Sequence, residues 1–381
     1  MAAHRVLVLH NRYRIEGGEE RSVALQLECL RRAGVEHRLL ERHSEASGRG
    51  RAAAALLRGG EDPGEIAGAV CDMGAVVVHA HNMHPLIGSR GLAAARAAGA
   101  RVVLHLHNVR LFCAIGVASR DGGPCFRCHG RNTLPGLALN CRGSLPEAVA
   151  YAAALALHQP AVIDAVTRFV APSRYAAGQL ALLGLPAERV EVLPHYLPGQ
   201  AFAERSAAGE GDYALVASRL SEEKGIDVAI DAAAASGVPL RIAGDGPAAA
   251  RLREQAASSH GDIEFLGRLE RRELERVLRG AGMMLMPSRY HEFSPYSALE
   301  AAAAGVPVLA SRLGGLPELV GAERCVAPND PQALAVRMRE LWDDPELRGK
   351  QGEELLCRAR EAHSEERYLS ALLDLYDRVL N

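Results

Sequence analysis

Short, nearly continuous apolar runs, each followed by a segment of helical period, recur along the chain and leave few folds open to it. RVLVLH (5–10), EHRLLER, GAVVVHAHN (74–82), ARVVLHLHN (100–108), RFVAPS (168–173) and VEVLPH (190–195) read as strands. Continuous apolarity marks parallel strands buried on both faces, since a half-exposed strand would alternate. Between them lie RSVALQLECLRRAG, stopped by Gly34, and GSRGLAAARAAG, whose apolar residues repeat at helical spacing. Such alternation implies right-handed crossovers and a parallel sheet with helices on both faces.

The pattern then restarts. YALVASRL (213–220), PLRIAGDG (239–246), IEFLGRL (263–269), MMLMPS (283–288) and VPVLAS (306–311) are strands, with GIDVAIDAAAAS and ERRELERVLRGAG as helices between them. A chain of 381 residues is long for one core. We expect two doubly wound Rossmann-like domains, 1–198 and 199–363, with HYLPGQAFAERSAAGEGD (195–212) as linker. A final amphipathic helix (364–381) carries Leu369, Leu372, Leu373, Tyr376 and Leu380 on one face. Ligands in such folds bind beyond the carboxyl ends of the strands, so two facing sheets predict a cleft there.

Hydrophobic residues make up 48% and charged residues 24%, a globular composition. No apolar run reads as the roughly 20 residues that span a bilayer. The N-terminus reads as a first strand rather than a secretory leader, and the expected location is the cytoplasm. Residues 1–198 hold 22 Arg and no Lys against 16 Asp and Glu. That excess suits an anionic substrate or the anionic inner leaflet of a membrane, or is simply solvated arginine. Nothing points to nucleic acid.

The chemistry-bearing letters follow strands. In HEFSPYSALE (291–300), Ser294-Pro295 reads as an N-cap and first-turn pair, and the helix stops at Gly305. Free amides around Phe293, Ser294 and Tyr296 would favour an anion. Glu300 can accept from vicinal hydroxyls of a ribose and Glu292 from a hexose. A plain capped helix with two surface glutamates fits the same letters. SRLSEEKG (218–225) sets Arg219 and Lys224 after a strand, where two cations can clamp a diphosphate. Lys224 is one of only two lysines in the chain. GDGP (244–247) is a tight turn open to close approach at Gly244, and no GxGxxG is present, which argues against a dehydrogenase. EGGEE (16–20) offers Gly17 and Gly18 to phosphate or sugar, or is an ordinary turn. HLHN and HAHN pair histidines on one strand face each. Metal binding is one reading, and a polar contact from His107-Asn108 to a reacting sugar is the better one.

Taken in order, the Glu-x7-Glu element, SRLSEEKG, GDGP, the GG loop, the HN at 107–108, APSRY and GVPVLASRLGGLPELV resemble family 4 of the retaining glycosyltransferases, end to end. The resemblance implies the GT-B fold and transfer of a hexose-type sugar from a nucleoside-diphosphate sugar to an acceptor hydroxyl. Residues 1–198 would be the acceptor domain, crossed by the C-terminal helix, and 199–363 the donor domain. Glu300 would bind ribose and Glu292 hexose, with the amides of Phe293 and Ser294 on sugar and phosphate and Gly244 near the donor. Arg219 and Lys224 would neutralise the departing diphosphate, Gly17 and Gly18 would flank it, and His107 would lie near the anomeric carbon. No divalent metal is implied, and a UDP-sugar is the favoured donor. The acceptor would be a glycan, glycolipid or small molecule, in surface polysaccharide or glycolipid assembly, with peripheral membrane contact. A nucleotide-sugar 2-epimerase of the same fold and a non-catalytic subunit are the alternatives.

Two stretches depart from the family pattern. PHYLP stands where many relatives carry Asn-Gly, so His195 and Tyr196 would alter the cleft. Residues 111–141 resemble a cysteine-bearing insertion of a family subset. Its Cys113, Cys125, Cys128 and Cys141 would hold a structural zinc, or pack as reduced thiols.

Overall fold

The computed structural model describes residues 4–12, 17–44 and 48–381. The chain forms two compact units. The first contains the residues up to Ala118 together with Phe126–His195 and Glu366–Asn381, and the second contains Ser119–Cys125 and Tyr196–Glu365. The change of unit thus falls at His195/Tyr196 and at Glu365/Glu366, a few residues from the expected boundaries, and Ser119–Cys125 joins the second unit.

The first unit's strands are β1 (Arg5–Arg12), β2 (Glu36–His43), β3 (Val77–Ala80) and β4 (Arg101–His105). Next in the chain comes a hairpin of the second unit, β5 (Ser119–Arg120) and β6 (Gly123–Pro124). The first unit then adds β7 (Arg168–Ala171) and β8 (Val190–Val192). Its six strands run in the order β2-β1-β3-β4-β7-β8, all parallel. Val6, Leu7, Val8 and Leu9 of β1 are fully buried, as are Val77 and Val78 of β3. The apolar runs therefore read as central strands because helices cover both faces.

The helix Glu365–Leu380 buries Tyr368, Leu372, Leu375, Tyr376 and Val379. Within the first unit its Tyr376 and Tyr368 hydroxyls reach Gln26, and Tyr376 also reaches His79. The helix Leu145–Ala165 is a correction to the sequence reading. It is 21 residues with a mean hydropathy of 1.2 over its best window, long and apolar enough by composition to cross a membrane. It buries Ala148, Ala152, Leu155, Gln159 and Val162. Glu147, His158, Gln159 and Asp164 interrupt every apolar run in it, so its letters do not read as a span.

The second unit has β9 (Ala214–Ala217), β10 (Leu240–Ala243), β11 (Ile263–Gly267), β12 (Met283–Met286), β13 (Val308–Ser311) and β14 (Cys325–Val326). They are parallel in the order β11-β10-β9-β12-β13-β14. This places the switch in strand order between β9 and β12, where doubly wound sheets bind ligands.

The expected linker is not a loose tether. Tyr196 and Leu197 are buried, and the Arg348 guanidinium, itself 4% exposed, donates to the carbonyls of Ala208 and Gly209 at 2.7 and 2.8 Å. The Ser206 amide donates to Glu353 at 2.7 Å. Gly, Pro and Ala in this stretch serve close packing, since a Cβ on Gly209 would sit 2.8 Å from the Pro345 carbonyl oxygen.

Candidate functional site

In the second unit, the loops after β9 and β12 converge on one carboxylate. The ammonium of Lys224 donates to Glu292 Oε1 at 2.6 Å and to the Tyr290 hydroxyl at 3.0 Å. Ser288 donates to the same Oε1 at 3.1 Å, and the Tyr290 hydroxyl donates to Oε2 at 2.5 Å. Glu292 is 5% exposed, so its charge is stabilised by these groups rather than by bulk water. Three of about four lone-pair positions on the carboxylate are taken, leaving room for one further donor. Burial alone would lower the Lys224 pKa. The Glu292 charge outweighs it and, with the bonds to Glu292 and Tyr290, holds the ammonium well above its ordinary value.

Local geometry fixes this cluster. Gly225, at φ +64°, ends the turn that carries Lys224, and a Cβ there would lie 2.0 Å from the Pro287 carbonyl oxygen. The two loops touch backbone to backbone, which only glycine permits. Beside them, Arg289 grips Asp227 with two bonds of 2.7 Å. The Gly315 amide donates to the Glu292 carbonyl at 2.7 Å, tying in the loop after β13. Tyr290 and Ser288, absent from the sequence reading, belong to the same loop as Glu292; only their proximity in sequence signalled them.

Arg219 is exposed just beyond β9, and its side chain has no ion-pair partner among the described residues. Gly244 follows β10 at φ +139°, and a Cβ would stand 1.9 Å from the Ser218 carbonyl oxygen. The helix Tyr296–Ala303 has Pro295, not Ser294, at its N-cap, and no side chain caps it. Ser294 lies one residue too early, since Pro295 is itself extended at ψ 128°. Glu300, with its side chain 18% exposed, pairs with Arg271 Nη1 at 3.5 Å.

The first unit gathers a different group. His79, His81, His105, His107 and His195 form a column of rings, with neighbouring centroids 4.2 to 6.1 Å apart. The two-residue periodicity of HAH and HLH puts each pair on one face of adjacent strands. His81 Nδ1 and His107 Nε2 are 2.9 Å apart. Burial drives His79 down to about 3 and His81, His105 and His107 well below the ordinary imidazole range, so these four rings are neutral at pH 7. Two trios, His79-His81-His105 and His105-His107-His195, have ring nitrogens within 4.8 Å of one another. The His81 and His107 rings lie 11° from parallel with those two nitrogens facing each other, so both atoms are engaged in one hydrogen bond.

Asn108 is already committed. Its carbonyl oxygen accepts from the Arg110 amide at 2.9 Å, closing a turn, and its amide reaches Glu19. It is a turn residue. Gly17 and Gly18 are exposed at the start of the helix Gly18–Arg32, while Glu16 and the loop before it lie outside the described residues. The Gly17 amide donates to Glu20 Oε2 at 2.8 Å, and Glu19 adds a second carboxylate to that turn. These acids already complement the helix dipole, which weakens the turn as a phosphate site. Cys113, Cys125, Cys128 and Cys141 are all partly buried free thiols.

Comparison with known proteins adds sequence and fold likeness. Residues 200–355 match the family model described as glycosyl transferases group 1. The putative colanic acid biosynthesis glycosyltransferase WcaL of Salmonella typhimurium is 35% identical over 182 residues, 43% of this chain and 45% of that one. A GDP-mannose-dependent alpha-(1-6)-phosphatidylinositol dimannoside mannosyltransferase of Mycobacterium tuberculosis is 38% identical over 135 residues, 34% of this chain and 35% of that one. The chain thus spans less than half the length of these curated relatives. Anabaena Alr3699/HepE, solved in complex with UDP-glucose, superposes with a TM-score of 0.69 at 16% identity, covering 98% of this chain and 100% of that one.

Proposed function

We propose that this chain, whose residues 200–355 match the glycosyl transferases group 1 model and whose fold is GT-B, is a retaining glycosyltransferase. It moves a hexose-type sugar from a nucleoside diphosphate to an acceptor hydroxyl. The observation that carries the reading is the cluster at the carboxyl edge of the second sheet, where Lys224 is held 2.6 Å from Glu292, with Arg219 exposed earlier in the same loop as Lys224.

In this reading Arg219 and Lys224 take up the charge that develops on the departing diphosphate, together with the amides of Phe293 and Ser294 at the uncapped helix start. Lys224 suits that role because Glu292 keeps it charged and immobile. Glu292 has one lone-pair position left for a hexose hydroxyl, and Glu300 takes the ribose in exchange for Arg271. Gly244 lets the donor lie against backbone. Within the first unit, the neutral His107 ring and the Gly17-Gly18 turn are the candidates for contact with a sugar. The acceptor attacks on the face the leaving phosphate departs from, and that phosphate takes its proton.

Because cationic side chains and helix amides supply the field, the reaction needs no divalent ion. UDP-glucose in HepE and GDP-mannose for the mannosyltransferase bracket the donors, with a UDP-sugar favoured. The setting we assign is polysaccharide or glycolipid assembly, since the relatives are described by such products. Cys113, Cys125, Cys128 and Cys141 do not come together as a ligand set among the described residues and stand as reduced thiols. Thermal shift with UDP-, GDP- and ADP-sugars in excess EDTA, followed by donor hydrolysis, tests the reading. Stabilisation by one of them with EDTA-resistant hydrolysis is expected; no response to any would overturn it. Elemental analysis tests the cysteines, and one zinc per chain would show that they are not free thiols.

A further inference from the structure

The hydrogen bond between His81 and His107 has a direction that the surroundings decide. His81 is 2% exposed, and its Nε2 is sealed from solvent with no partner among the described residues. His107 is only partly buried, and its Nδ1 is not among the sealed atoms. A neutral imidazole carries one N–H and one bare lone pair. Were His107 the donor through Nε2, His81 would accept at Nδ1 and bury its own N–H at Nε2 without a partner. Buried orphan N–H groups are rarer and costlier than unsatisfied acceptors. The cheaper arrangement has His81 donating from Nδ1 to His107 Nε2, which leaves the His107 proton on Nδ1, its open side.

We propose that His81 is a positioning residue that fixes His107 as the Nδ1–H tautomer, presenting a neutral hydrogen-bond donor to the donor sugar or its departing oxygen. The role of His107 toward the sugar rests on the function proposed above; the tautomer does not. The column supports it sterically. The His105 ring lies 4.2 Å from His107 and 5.2 Å from His81, packed against both partners of the 2.9 Å contact. Gln26, Tyr376 and His79 anchor the far end, with Tyr376 Oη 2.9 Å from His79 Nδ1. A ring so fixed behaves as the orienting member of a catalytic pair, as a buried acceptor does for a catalytic histidine.

The test reads the tautomer directly. Long-range proton–nitrogen spectra of the uniformly labelled full chain at pH 7, with His107 assigned through His107→Gln, should show Nε2 of His107 as the unprotonated nitrogen. A protonated His107 Nε2 would overturn the proposal whatever the activity. His81→Asn keeps an N–H near the Nδ1 position and should preserve that spectrum, whereas His81→Phe should release it to a tautomer mixture. Where transfer or donor hydrolysis is measurable, His81→Phe should lower kcat by roughly tenfold or more at nearly unchanged donor KM, with His81→Asn recovering most of it. Equal losses in both variants with unchanged spectra would also overturn it. An expected spectrum in a protein that hydrolyses no sugar nucleotide would instead sink the functional reading and leave the tautomer standing.

Discussion

Lys224 and Glu292, 68 residues apart in sequence, meet at 2.6 Å where the loops after β9 and β12 cross. The Glu292 charge holds the Lys224 ammonium above its ordinary pKa, and Glu292 itself is buried at 5% exposure. Removing one partner leaves the other buried and unpaired, which costs more than the pair itself contributes.

Lys224→Met should therefore lower both stability and turnover, by about 3 kcal/mol and by 10²-fold or more. Lys224→Met with Glu292→Leu should recover part of the stability and none of the turnover. Urea denaturation of the two single variants and the double variant, alongside donor hydrolysis, checks both halves. Additive stability losses would show that the ion pair is not energetically coupled.

Gly244 is held at φ +139° with no room for a methyl group against the Ser218 carbonyl. Gly244→Ala should cost about 1–3 kcal/mol of strain and displacement. Because the loop after β10 must shift, nucleotide affinity should fall as well. Isothermal titration with UDP checks this, and an unchanged dissociation constant would remove the turn from the donor site.

The strand runs made the architecture legible because parallel central strands advertise themselves as unbroken apolar letters. Lys224 and Glu292 were legible as candidates because they follow strands, but their direct pairing was not. Nothing at 224 says that 292 will fold against it. Tyr290 and Ser288 were invisible for the same reason, since a loop tyrosine has no periodicity to read. The column of histidines was half legible. HAH and HLH fixed the faces, while the depth of burial and the contribution of His195 depend on how β3, β4 and the chain after β8 lie side by side. The Leu145–Ala165 helix hid behind four polar letters that its packing tolerates.

His79 sits at about 3 in the folded chain because burial penalises its charged form, against an ordinary value near 6.5. Between those values the unfolded chain binds the extra proton, so stability rises with pH there. The contribution is complete above 6.5 and is lost as pH falls toward 3. At pH 5 the loss from His79 alone is about 2 kcal/mol. No carboxylate among the described residues pairs with it; Gln26, His81, His105 and Tyr376 face it. His79→Asn should flatten the fall in urea midpoint between pH 7 and pH 5. An identical slope in the variant would mean that His79 is reached by water and protonates freely.

Glu300 sits on the first helical turns after the uncapped start and holds Arg271 at 3.5 Å, a contact with its arginine more than half exposed. So exposed a pair contributes at most about 1 kcal/mol, so Arg271 is easily displaced by a better partner. A ribose offers two hydroxyls to one carboxylate in place of a solvated guanidinium. Glu300→Gln halves the acceptor capacity and should weaken nucleotide binding by about tenfold while leaving thermal stability nearly unchanged. Arg271→Ala should leave affinity the same or slightly tighter, because it only vacates the carboxylate. Titration of both variants with UDP separates the two residues. Equal weakening in both would make Arg271 a ligand-binding group rather than an occupant that the ribose displaces.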